Sequence, residues 1–101
     1  MNCAQCSQAY PSGHQAEAAI AIFVLGDEYI YSYWRCPACE HYTVAWYHDS
    51  FLGDDDAGEL APVPREVGDR CVALVRACPD PMDKNCDCAS HEALYHGLPR
   101  D

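Results

Sequence analysis

Four cysteines in two pairs dominate the chemistry available to this chain: Cys3-Ala4-Gln5-Cys6 and Cys36-Pro37-Ala38-Cys39, separated by 29 residues. A Cys-x-x-Cys turn aims two sulfurs at one point, and two such turns supply the donor set of a tetrahedral four-thiolate zinc site. Four sulfurs at about 2.3 Å fill the coordination sphere and leave no position for water or substrate, so such a site holds structure and does not catalyse. Sulfur ligation leaves iron open beside zinc. A thioredoxin-like redox pair is a poorer match, since it needs one Cys-x-x-Cys at the start of a helix that follows a parallel strand.

A second set, Cys78, Cys86, Cys88 and His91, gathers three sulfurs and one imidazole within fourteen residues. The segment is broken by Pro79 and Pro81 and has little else to order it, which predicts a second structural zinc and so two ions. Core thiols, or a transient redox or metal-transfer site, are the alternatives. His96 could replace His91 but stands five residues further on, behind Leu94 and Tyr95. Cys71 is left over; on the apolar stripe of its helix it reads as a small hydrophobe. His14, His41 and His48 have no partner at metal spacing and read as surface or strand residues. His41 and Arg35 flank the second pair, placed to hydrogen-bond its sulfurs or offset their charge. No Ser-His-Asp set, phosphate loop or zinc-protease motif is present, so the expectation is a protein that is not an enzyme.

The elements that must position these ligands follow from periodicity. Residues 17–25 and 28–36 read as a hairpin around Gly26-Asp27, which suits a type II′ turn and pairs Ile22 with Tyr31 and Ile20 with Tyr33. One face would carry Ile20, Ile22, Val24, Tyr29, Tyr31 and Tyr33, and the other Ala19, Ala21, Phe23, Leu25, Ile30 and Trp34. Residues 41–51 read as a third strand returning from the second cysteine pair. Residues 53–64, with Asp54, Asp55, Asp56 and two prolines, read as an exposed acidic linker; the triplet lacks the alternating ligands of a calcium loop. From Arg65 the pattern turns helical, with Val67, Cys71, Leu74, Val75 and Cys78 on one face, Pro64 at the start and Pro79 at the stop. A short last helix from Ser90 to His96 is expected before Gly97.

The first half, residues 1 to about 50, resembles the zinc ribbon superfamily, including its small bacterial members: knuckle, hairpin, knuckle, returning strand. That resemblance implies a structural zinc and does not select a function, because ribbons serve transcription factors, ribosomal proteins and enzyme subunits alike. The chain departs from the common pattern at Ser7 and Glu40, where many knuckles place glycine, which implies a different knuckle geometry. The tip at Gly26-Asp27-Glu28 is acidic where nucleic-acid-binding ribbons are commonly basic.

Length and charge narrow the class. At 101 residues, the chain is expected to be one α+β domain: a ribbon at 1–52 with a small three-stranded antiparallel sheet, the linker at 53–64, and a helical segment with the second cluster at 65–101. Sixteen acidic against six basic residues give a formal charge of −10. Two bound zinc ions with seven thiolates would bring it to about −13. Phosphate backbones are recognised through clustered Lys and Arg, so nucleic acid is an improbable partner. No basic head followed by an apolar stretch opens the chain, and residues 16–25 are too few to span a bilayer, which predicts a cytoplasmic protein with reduced cysteines. Alternating aromatics usually build a core, but both sheet faces need cover, so Tyr29, Tyr31, Tyr33, Trp34, Trp46 and Tyr47 form a candidate surface for a protein partner or homodimer. The expected role is a zinc-binding accessory or interaction module, against a nucleic-acid-binding regulatory ribbon and a thiol-based redox or metal-handling protein that uses the C-terminal cysteines.

Overall fold

A computed structural model describes residues 2–24, 27–49, 55–60, 62–83, 86 and 88–91. The architecture is α+β: a four-stranded antiparallel meander, β1 (Ala18–Val24), β2 (Asp27–Arg35), β3 (Tyr42–Asp49) and β4 (Asp56–Glu59), in the order β1-β2-β3-β4, with the helix α1 (Arg65–Ala77). The first three strands are rich in Ile, Val and aromatic residues, which suit a pleated surface. The alternation puts Ile20, Ile22, Tyr31, Tyr33, Tyr42 and Val44 on one face, where Val72 and Val75 of α1 close over them to form the core.

The hairpin register differs from expectation. Val24 pairs with Asp27, Ile22 with Tyr29 and Ile20 with Tyr31, so residues 25–26, not Gly26-Asp27, lie between the strands. Moving a two-residue turn by one position slides each partner by two, which leaves every side chain on its expected face. Leu25 and Gly26 themselves fall outside the described residues.

The stretch expected as a linker supplies β4. Its residues Asp-Ala-Gly-Glu carry no strand signal; the backbone ladder to β3 and the Trp46 ring, laid over Gly58 where a Cβ would come within 2.8 Å of it, hold the strand in place. Beyond β4 the chain stays on β3, through Leu60 N–H to the Val44 carbonyl (2.9 Å) and a mutual pair between Tyr42 and Val63. Of the acidic triplet, Asp55 accepts from the Tyr47 hydroxyl (2.6 Å) and Asp56 from the Ala57 N–H (2.8 Å); Asp54 lies outside the described residues.

The helix spans nearly its expected residues but is rotated. Gly68, Val72 and Val75 are buried while Val67 is 37% exposed. Gly68 sets this rotation, because a methyl group there would overlap the Tyr42 ring. The absence of a side chain therefore lets α1 lie against β3, and the Tyr42 hydroxyl, donating to Asp69 (2.6 Å), fixes the contact.

Tyr31 and Tyr33 are each 1% exposed, inside the core, and are unavailable to a partner. Tyr29 and Trp46 are half-buried on the same face; the Tyr29 ring stacks on His48 at 4.4 Å. On the opposite face Trp34 and Ile30 are half-buried, and Tyr47 and Phe23 are 40% and 42% exposed.

Candidate metal centres

The two Cys-x-x-Cys turns fold as near copies. In the first, Cys3 N–H donates to the Gln8 carbonyl and Ser7 N–H to the Cys3 carbonyl, both at 2.9 Å. In the second, Cys36 N–H donates to His41 (2.9 Å) and Glu40 N–H to Cys36 (3.0 Å). Ser7 and Glu40 adopt φ of 65° and 66°, the left-handed conformation that glycine takes most easily. For a residue with a Cβ this conformation costs about 1–2 kcal/mol. Glu40 is held by Arg35 (3.2 Å) and Arg65 (2.8 Å).

Meander and knuckles bring the four sulfurs together. Cys3 Sγ lies 3.6 Å from Cys39 Sγ, and Cys6 Sγ 3.7 Å from Cys36 Sγ, with all four within 4.8 Å of one another. Sulfurs bound tetrahedrally at about 2.3 Å to one ion lie about 3.8 Å apart, so the spacing fits a single metal. Each turn contributes one buried sulfur, Cys3 or Cys36, and one more open, Cys6 or Cys39.

Without a cation these thiols compete for charge. Burial pushes Cys3 up, but the backbone N–H groups of Cys6 and Gln5 and the neighbouring thiols outweigh it and bring Cys3 down to about 6. Cys39 rises to about 12: the His41 backbone contact lowers it, and burial with the thiols of Cys3, Cys36 and Cys6 overcomes that. A divalent ion is what permits four thiolates at this spacing.

Around this centre stands a shell that the spacing of the cysteines did not announce. Thr43, fully buried on β3, accepts the Ala4 N–H at 2.8 Å and ties the first knuckle to the sheet. The Tyr10 hydroxyl donates to the Trp34 carbonyl (3.1 Å) and lies 3.2 Å from Thr43 Oγ1. His14 stacks on Tyr10 at 4.7 Å and its Nε2–H donates to the Arg35 carbonyl (3.1 Å). The one sequence signal was a hydroxyl residue inside an apolar strand, directly after the second knuckle. Among the described residues the His41 ring reaches the Cys39 carbonyl, at 3.5 Å, and no sulfur, and Arg35 turns to Glu40.

The second cluster is assembled at the end of α1. Cys78 is the C-cap residue, with its N–H on the Val75 carbonyl (3.1 Å), and the loop returns through Asp83 N–H to Asp80 (3.2 Å) and Cys86 N–H to Asp83 (3.0 Å). Cys78 Sγ then lies 3.8 Å from Cys86 Sγ, 3.4 Å from Cys88 Sγ and 3.2 Å from His91 Nδ1, which is 3.4 Å from Cys88 Sγ. The other ring nitrogen settles the tautomer. His91 Nε2 lies 3.1 Å from the Ala21 carbonyl, which can only accept, so Nε2 carries the proton and Nδ1 presents its lone pair to the sulfurs. The backbone N–H of His91, then its ring, lower Cys88 to about 6, while burial raises Cys78 to about 11. His96 and the expected continuation of the last helix beyond residue 91 lie outside the described residues.

Cys71 joins neither cluster. Burial pushes its thiol up, and it faces the Tyr33 hydroxyl, which is buried without a close hydrogen-bond partner among the described residues. A shallow groove between α1 and the neighbouring ends of the first three strands is lined by Glu17, Arg35, Tyr42, Asp69 and Arg76, but Arg76 is paired with Glu17 (3.3 Å) as Arg35 is with Glu40. No described helix is long and apolar enough to cross a membrane.

Two centres, each with four candidate ligand atoms within 4.8 Å of one another, are thus what the described residues present, and the chain matches no protein family, no curated protein and no solved structure.

Proposed function

We propose that the protein is a zinc-binding, non-catalytic accessory module of the cytoplasm that meets a protein partner through its sheet. The observation that carries this reading is the closure of both centres: Cys3, Cys6, Cys36 and Cys39 around one point, and Cys78, Cys86, Cys88 and His91 around the other. Four protein ligands leave a metal no open position, which argues for scaffold over catalyst. Zinc suits thiolate-rich tetrahedral sites with or without imidazole, and the mixed sulfur–nitrogen second centre favours it over iron. For the partner surface, Trp34, Tyr47, Phe23 and Ile30 share the sheet face that α1 does not cover, and they replace the buried Tyr31 and Tyr33 in that role.

Native mass spectrometry should count two zinc ions, falling to one in a Cys86→Ser/Cys88→Ser variant. A partner recovered with the zinc-loaded protein should be lost with Tyr47→Glu while both ions remain. Retention on nucleic acid at low salt, or turnover at either metal, would instead sink the reading. A thiol-based metal-handling role draws support from Cys86 and Cys88, both half-buried and accessible at one side; rapid zinc exchange at that centre alone would bring it forward.

A further inference from the structure

The second centre does more than close on itself, because its histidine also holds the outer edge of the sheet. Among the described residues β1 is the edge strand of the meander, with β2 as its one strand partner. Its free side is met by the C-terminal segment at Ala21: the Ala21 N–H donates to the Pro81 carbonyl (2.8 Å) and the Ala21 carbonyl accepts His91 Nε2–H (3.1 Å). Both backbone groups of Ala21 are therefore directed away from β2 and satisfied by the tail. Ala21 is fully buried, although it lies on the sheet face opposite the core.

We propose that the C-terminal metal centre is a latch over this edge, and that loss of its ion opens β1 to antiparallel pairing with β1 of a second copy of the chain. This rests on the reading of the second cluster as a metal centre. The described part of the tail is held at two points, by Cys78 at the helix terminus and by His91 at the edge. Among the described residues the intervening loop has two short backbone bonds of its own and no strand. Remove the ion and the sulfurs no longer hold His91, so that among the described residues two hydrogen bonds keep the tail on the edge at Ala21, against its own conformational freedom.

The occupant follows from the strand. β1 reads Ala-Ala-Ile-Ala-Ile-Phe-Val, seven residues without charge, glycine or proline, and such an edge is a template for another strand. It is close to palindromic about Ala21: a two-fold axis there sets Ala21 against Ala21 and Ile20 against Ile22 of the second copy. Each Ala21 would exchange N–H and C=O with its mate, the same two groups that now serve His91 and Pro81. Alanine at the axis lets the backbones approach. While the ion is bound, the tail competes as part of the same molecule, at an effective concentration that a second copy in dilute solution does not reach.

Light scattering with native mass spectrometry on the same samples tests this across a protein concentration series. Zinc-loaded wild type should be monomeric with two ions, and Cys86→Ser/Cys88→Ser with one ion should double in mass as concentration rises. Adding Ala21→Pro to that variant should restore the monomer, since it deletes the outward N–H and leaves the ladder to β2 intact. Amide exchange at Ala21 gives an independent readout: slow in wild type, fast in the dilute variant, slow again in the concentrated one. If the double variant loses both ions and unfolds, wild type stripped by chelator to one ion supplies the same measurements. A one-ion protein that stays monomeric at every concentration, or a dimer indifferent to Ala21→Pro, overturns the proposal. Wild type that never takes a second ion overturns the two-metal reading and the latch together, whereas two ions without effect on assembly overturn the latch alone.

Discussion

The two centres differ by a single donor, an imidazole in place of one thiol, and are built in opposite ways. At the first, sulfurs come from two matched knuckles, each closed by its own pair of backbone hydrogen bonds, and Thr43 fastens one of them to the sheet. At the second, one sulfur caps a helix, two stand in an irregular segment, and the histidine takes its orientation from the Ala21 carbonyl. Preorganised ligands lose little freedom when metal binds, while a centre made from a loop must order that loop at the moment of binding. The first centre should therefore hold its ion tightly and through the sheet, and the second should hold it more weakly while ordering the tail.

The sharpest break in that comparison is to remove one sulfur from each. Cys36→Ser is expected to release the first ion and unfold the sheet, because structural zinc supplies on the order of 10 kcal/mol, comparable with the whole stability of a small domain. Cys86→Ser should leave a cooperative transition with one ion bound. Circular dichroism melts with metal counting check both, and equal losses would show that the centres are one cooperative unit. Next in size is Thr43→Val, which keeps the shape and removes the acceptor of the Ala4 N–H. A cost of about 1–3 kcal/mol is expected for the unsatisfied donor, with metal affinity at the first centre reduced about 10–100-fold. Zinc competition should find the second centre unchanged; a loss at both would make Thr43 a general core residue.

A smaller effect concerns α1, which links the centres. Burial first, then the Asp69 carboxylate, raises Tyr42 from 10.0 to about 12, and the same hydrogen bond lowers Asp69. A raised acid stabilises the fold fully below pH 10 and loses that contribution as pH climbs through about 12. Tyr42→Phe should thus flatten the alkaline fall of the melting temperature over that window. For Asp69 the sign is opposite, its contribution being present above the ordinary carboxylate range and lost on acidification, and Tyr42→Phe should weaken it. An unchanged alkaline limb would remove Tyr42 from the account. Smallest is Ser7→Gly, which relieves the left-handed φ of 65° and should raise stability by up to about 1 kcal/mol without altering metal content. Glu40→Gly relieves the same strain but forfeits the pairs with Arg35 and Arg65, so its net change should be smaller.

The eight candidate ligands were legible as two groups because their chemistry resides in side chains at short spacing, and the strand faces were legible because Ile20, Ile22, Tyr31 and Tyr33 alternate. What escaped was carried by the backbone or by absence. β4 forms over Asp56–Glu59 because β3 offers an open ladder, which no residue of that segment declares. The rotation of α1 is set by Gly68, a missing side chain, so a stripe counted from apolar residues placed Val67 inside and overlooked Val72. The Ala21 carbonyl that orients His91 has no sequence signature at all. Thr43 alone left a trace, as a hydroxyl where an apolar residue would pack.

Because every strand pairs with its neighbour in the chain, the first ligand set is complete at Cys39, well before α1 begins at Arg65. During synthesis the amino-terminal half emerges first, and Tyr31 and Tyr33 leave the ribosome without the helix that will bury them. A metal taken up at that stage would clamp the hairpin while its aromatic face is still wet, limiting the time in which those rings can find a foreign surface. Ribosome-stalled chains that expose residues up to Asp49 are accordingly expected to retain one zinc ion, and if they retain none, the helix must arrive before the metal can stay.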